Sequence, residues 1–186
     1  ALWLAGAYRV AEVRTDIPFA GTLLVAGVGA AVFEEVVFRG VLFRVIEEGL
    51  GTAAALVASA LLFGFVHITN PGATVWSSVA IAIEAGLLLG MAYHVTRSLP
   101  LCMGIHAAWN FTQGSVYGSP ISGLPTKHSW LVPQFSGPDW LTGGAFGFEA
   151  SVVAAAIGLA GAIALLAVAP RGGTLLPLGP NPPHPA

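Results

Sequence analysis

Charge is what this sequence has least of. Only 9% of its 186 residues are Asp, Glu, Lys or Arg, where a soluble domain carries about 25%. Too few charged side chains remain to cover a water-facing surface, and the mean hydropathy of +0.80 agrees. Basic residues are scarcer still, seven against nine acids for a net charge of −2. That excludes the positive stripe on which nucleic-acid binding depends. A single cysteine, Cys102, excludes an internal disulfide and any cysteine-based zinc spacing. Low polarity excludes a disordered chain. HExxH and GxSxG are also missing, and no apolar run contains an aspartate. These absences remove the zincin helix, the serine nucleophile elbow and an intramembrane aspartate pair.

What is present is a series of long apolar segments. An all-α, polytopic transmembrane helix bundle follows, with about five spans at 18–47, 52–68, 75–95, 101–117 and 149–169. Residues 1–16 read as the end of a truncated N-terminal helix and a linker, 17–169 as the membrane domain. The stretch 118–147 holds Pro120, Pro125, Pro133 and Pro138 with several Trp, Gly and Ser, which suits an interfacial loop. The Pro/Gly-rich tail, 170–186, is expected to be disordered. The first span would be about 45 Å long at 1.5 Å per residue, against a hydrocarbon core of about 30 Å, so it must tilt, kink or protrude. Three basic residues on one side and two on the other set no clear orientation.

The few ionisable residues within these spans do not scatter. They gather in Glu34-Glu35-Val36-Val37-Phe38-Arg39, in Phe63 to His67, and in His106-Ala107-Ala108-Trp109-Asn110. Each cluster pairs residues four apart, which share one helix face. Ionisable groups at membrane depth are costly, and the default reading is a functional cavity. One such pair alone reads better as a buried polar contact between helices. Three together, in a chain so poor in charge, read as a catalytic inventory. Glutamate and histidine supply a general base, and histidine with asparagine supplies donors to an oxyanion.

The three clusters resemble the EExxxR, FxxxH and HxxxN motifs of the CAAX protease and bacteriocin-processing (Abi) family of intramembrane endopeptidases, which includes the type II CAAX prenyl endopeptidases. Here they stand in the family's order as EEVVFR, FGFVH and HAAWN. The nearby FRG and the later GGAFGFEAS are similar to bacterial members. The resemblance implies a catalytic set of Glu34, Glu35, His67, His106 and Asn110. Glu34, helped by His67, would activate water, while His106 and Asn110 would bind the oxyanion. Arg39 would orient the glutamates, most directly Glu35. Cofactors stay open: a metal-free route is favoured, because Asn110 donates hydrogen bonds well and ligates zinc poorly. If zinc takes part, Glu34, His67 and His106 are the ligands expected. The substrate is expected to be a membrane-associated peptide or protein, which includes the prenylated kind. The other partners are lipids, and nucleic acid is not among them. The location is a plasma membrane, bacterial or archaeal by the Ala/Gly/Pro-rich composition.

The remaining polar residues receive blander roles. Glu47 and Glu48 read as solvated, and His94 and Arg97 as interfacial. Cys102 reads as a small packed residue and Phe63 as packing for the His67 helix. Glu149 is expected to cap the last helix, and Glu84 either lines the cavity or bonds a neighbouring helix. The alternative function is a transporter or membrane scaffold using the same polar cluster. A closed pocket uniting Glu34, His67, His106 and Asn110 would favour an enzyme, and a continuous polar path would favour transport.

Overall fold

The computed structural model describes residues 1–17 and 27–169. The expected tail, 170–186, and the first turns of the span expected from residue 18 lie outside the described residues. Ala30–Glu35, Val36–Phe43 and Arg44–Leu50 run on as one helix, α1, whose middle stretch winds in wide π-type turns. Gly51 ends it at φ 86°, a left-handed conformation that glycine adopts without a Cβ penalty. Helix α2, Thr52–Val66, follows at once and tightens into His67–Thr69. Helix α3 joins Val75–Ile81, a second π-type stretch Ala82–Leu87, and Leu88–Thr96. Its first turn is fixed by Thr74 and Ser77, each side chain accepting from the other's backbone N–H. Helix α4, Leu99–Phe111 with Thr112–Val116, starts on a Ser98 cap with Pro100 in its first turn. A short α5, Asp139–Thr142, precedes the apolar α6, Val152–Val168.

The protein is mostly helical. Among the described residues, two helical runs are long and apolar enough to cross a membrane, Thr52–Thr69 and Val75–Thr96, and Val152–Val168 is a shorter apolar one. Their outer surfaces are hydrocarbon: Val57, Leu61 and Phe65 on α2 and Ile157, Ile163 and Leu166 on α6 are exposed. The interior holds Glu35, Arg39, Glu84, His94 and His106, all buried. Apolar outside and ionisable inside reverses the arrangement of a water-soluble domain and suits lipid as the surrounding solvent. Small residues let the helices meet. A Cβ at Gly64 of α2 would lie 2.2 Å from the Ser78 carbonyl oxygen of α3.

Two departures from the sequence-based expectation concern the ends of the bundle. Where a helix end was expected, Tyr8–Val13 is a strand, β1, paired antiparallel with β2, Leu131–Phe135. Tyr8, Val10 and Val13 favour the extended backbone, and Pro133 is tolerated because its strand has only one neighbour. Tyr8 stacks edge-on against Tyr117, Phe135 and Phe148, tying the sheet to the end of α4 and to the approach to α6. The second departure is at the opposite end of α3. Glu47 and His94 were expected in water or at the interface, but both are buried. Glu47 accepts from Thr52 Oγ1 (2.9 Å) and from both terminal nitrogens of the half-exposed Arg97, with His94 Nδ1 at 3.4 Å. Ends of three helices converge there, so charges that look terminal in sequence satisfy one another in space.

Candidate active site

Helical spacing positions the first pair. Glu35 and Arg39 lie one turn apart on α1, and Arg39 Nη1 donates to Glu35 Oε1 at 2.9 Å. Both residues are almost wholly excluded from solvent. The guanidinium also reaches a second helix: Nη2 donates to the carbonyls of Ala85 (2.9 Å) and Gly86 (3.1 Å), in the π-type stretch of α3, while Nε has no partner among the described residues. Wide turns displace such carbonyls from the regular ladder and make them available. The Phe63 ring of α2 lies under the guanidinium at 4.6 Å, and also touches the His67 and His106 rings. Phe63 therefore does more than pack behind its own helix.

Each imidazole is fixed through Nδ1. His67 Nδ1 donates to the Phe63 carbonyl at 2.6 Å, and His106 Nδ1 donates to Glu35 Oε1 at 2.9 Å. Both Nε2 atoms lie 3.9 Å from the same oxygen, Glu34 Oε2. Three elements converge on one carboxylate: α1 with Glu34, the end of α2 with His67, and α4 with His106. Asn110, one turn beyond His106, is buried and lines a cavity together with His67 and His106.

The cavity has a free volume of about 30 Å³, enough to admit water. Its lining includes Glu84, Ser122 and Glu149. Glu34 is not among the lining residues; it stands 3.9 Å from both imidazoles, at partial exposure. Glu84 Oε2 is buried and has no hydrogen-bond partner among the described residues. Glu149 does not cap α6, since Ser151 does, its Oγ accepting from Ala154 N at 3.0 Å. Glu149 Oε2 accepts instead from the backbone N–H and the hydroxyl of Ser122. Ser122 sits at φ 47°, and its carbonyl accepts from Asn70 Nδ2 at 2.9 Å. A strained residue held on three atoms over a pocket is the pattern of a functional wall. The sequence marked neither Ser122 nor Glu149 for the site. The signal available was a carboxylate shortly ahead of an apolar helix that already had a Ser cap.

Cys102 is fully buried, its thiol 3.7 Å from the Leu89 carbonyl. Among the described residues no group of three or more His, Cys, Asp and Glu side chains gathers closely enough to hold a metal ion. By donor type alone, Glu34 Oε2 and the two Nε2 atoms match a His₂Glu zinc set.

Ionisable side chains enclosed by apolar helices around a cavity that admits water are what an enzyme working inside a membrane requires. The family model of the type II CAAX prenyl endopeptidase, Rce1-like, matches residues 16–112, more than half of the chain, and the chain belongs to that family. The matched region holds Glu34, Glu35, Arg39, His67, His106 and Asn110, and stops short of Ser122 and Glu149. Membership implies a protease in a membrane setting and a membrane-associated peptide as substrate. Neither the curated proteins nor the solved structures give a match.

Proposed function

We propose that this chain is an intramembrane endopeptidase that hydrolyses a peptide bond of a membrane-associated protein or peptide. Residues 18–47, 52–68, 75–95, 101–117 and 149–169 form its five spans in a bacterial or archaeal plasma membrane. The observation that carries the mechanism is the approach of His67 Nε2 and His106 Nε2 to one oxygen, Glu34 Oε2, at 3.9 Å each. That gap is too long for direct hydrogen bonds and leaves room for a water among the three groups. Glu34 takes a proton from this water as its oxygen attacks the carbonyl carbon, and His67 holds the water in line. His106 and Asn110, on one face of α4, donate to the developing oxyanion. His106 has its Nδ1–H engaged by Glu35, which Arg39 holds in place, so the Arg39–Glu35–His106 chain orients the imidazole.

The scheme is metal-free. Asn110 beside the two imidazoles is a strong donor and a weak zinc ligand. A zinc ion on Glu34, His67 and His106 would supply Lewis-acid polarisation of the carbonyl and a more acidic water. The test is turnover of a peptide library by the purified protein in liposomes, with Glu34→Gln as the inactive comparison. Equal cleavage by both proteins refutes the assignment of the base.

A further inference from the structure

Glu84 is the most exceptional side chain that the proposed mechanism leaves unused. It is 3% exposed, on the π-type stretch of α3, with one oxygen unpartnered among the described residues. Its backbone is immovable: a Cβ at Gly158 of α6 would lie 2.3 Å from the Glu84 Cα. The same stretch is gripped by Arg39 through the next two carbonyls, Ala85 and Gly86. No basic side chain lies among the residues lining its cavity apart from the two imidazoles, and the carboxyl it shares that cavity with, Glu149, already accepts two hydrogen bonds from Ser122. An ionised Glu84 would be an uncompensated buried charge next to a second carboxyl. A proton on Glu84 removes that cost and turns a carboxyl of the cavity lining into a hydrogen-bond donor.

The layout gives the proton a use. Glu34 stands 3.9 Å from both imidazoles and is not among the residues lining the cavity, whereas Glu84 lines it together with His67, His106 and Asn110. A general base and a separate general acid serve attack and departure in turn. Resting on the peptidase reading above, we propose that Glu84 is the proton donor to the leaving amine, with Glu149 and Ser122 as the wall that holds its carboxyl towards the scissile bond. The cavity, of about 30 Å³, admits water to carry the proton.

The step balances. Glu34 removes a proton as the water oxygen bonds to carbon. The C–N bond then breaks, its electron pair stays on nitrogen, and nitrogen takes the proton that came from Glu84. The new carboxylic acid returns its proton to Glu84 and leaves as a carboxylate. The proton on Glu34 passes to the amine, which leaves as an ammonium.

The test compares a peptide amide with the matching activated aryl ester, whose leaving group departs without protonation, using the full-length protein in liposomes. Glu84→Gln is expected to lose about 10²-fold or more on the amide and little on the ester. Glu34→Gln should lose both, because attack precedes either departure. Equal losses of Glu84→Gln on the two substrates, or no loss on the amide, overturn the donor assignment. Absence of hydrolysis of both substrates by the parent protein counts against the peptidase reading itself, and the donor assignment falls with it. A second measurement needs no turnover. Infrared spectra at neutral pH should contain a protonated-carboxyl stretch that shifts in D₂O, vanishes in Glu84→Gln and persists in Glu149→Gln. If Glu84→Gln does not fold, the parent and Glu149→Gln still decide. No band in the parent, or its loss in Glu149→Gln, overturns the assignment.

Discussion

Arg39→Ala should damage folding far more than any catalytic substitution at the same site. The guanidinium is 1% exposed and serves three partners: Glu35 at 2.9 Å, and the Ala85 and Gly86 carbonyls at 2.9 and 3.1 Å. Truncation leaves the Glu35 carboxylate, 0% exposed, with only His106 to answer it. Breaking one side of a buried pair costs about 3–5 kcal/mol. The desolvated contact with the Phe63 ring, 4.6 Å away, is worth up to about 2 kcal/mol more. Taking about 5 kcal/mol, and about 2–4 °C per kcal/mol for a chain of this size, the melting temperature should fall by roughly 10–20 °C. A thermal melt in detergent, followed by circular dichroism, reads this directly. Arg39→Lys should recover only part of the loss, because an ammonium cannot span a carboxylate and two carbonyls as a planar fork does. Pairing Arg39→Met with Glu35→Gln should recover more, since the stranded charge is then gone. A melt of Arg39→Ala within about 2 °C of the parent, less than 1 kcal/mol on this scale, refutes the reasoning.

Glu34→Gln should lower turnover about 10²–10⁴-fold with an unchanged melt, because the amide keeps the shape and cannot accept the proton of water. Asn110→Ala should lower kcat by about 10²–10³-fold as one oxyanion donor is lost, measured on the same peptide. Prolonged treatment with a chelator should leave the rate intact, and elemental analysis of active protein should find no stoichiometric zinc. Zinc that tracks activity would transfer Glu34, His67 and His106 to a ligand role.

The parts of this site that are legible in sequence are those set by the geometry of one helix. Glu35 with Arg39, Phe63 with His67, and His106 with Asn110 are four apart, and a helix puts such residues together regardless of the rest of the fold. That His67 and His106 face the same oxygen of Glu34 is a property of how α1, α2 and α4 pack, and spacing carries no record of it. Ser122 shows the limit most plainly. It lies in a Pro- and Gly-rich loop with no periodicity, and it reaches the pocket through a positive φ and the Glu149 carboxylate. Glu47 and His94 mislead for a related reason: a charge at a helix end reads as solvated or interfacial unless the ends of two other helices are known to arrive there. Strand β1 was missed because six residues pair with a partner more than a hundred positions away.

The π-type stretch Ala82–Leu87 carries a consequence for how this chain tolerates changes of length. In a regular α-helix each residue turns the chain by about 100°. A wide turn accommodates an additional residue within the same rise, so it keeps the two halves of α3 in phase. Deleting one residue between Ala82 and Leu87 would restore an unbroken α-helix and would leave every span apolar. Val75–Ile81 and Leu88–Thr96 would keep their phase, but the backbone between them would be rebuilt. The deletion would thereby withdraw the two carbonyls from Arg39. A hydropathy profile would not notice the deletion. The chain should therefore absorb an insertion in the loop after α4 far more readily than the loss of one residue here.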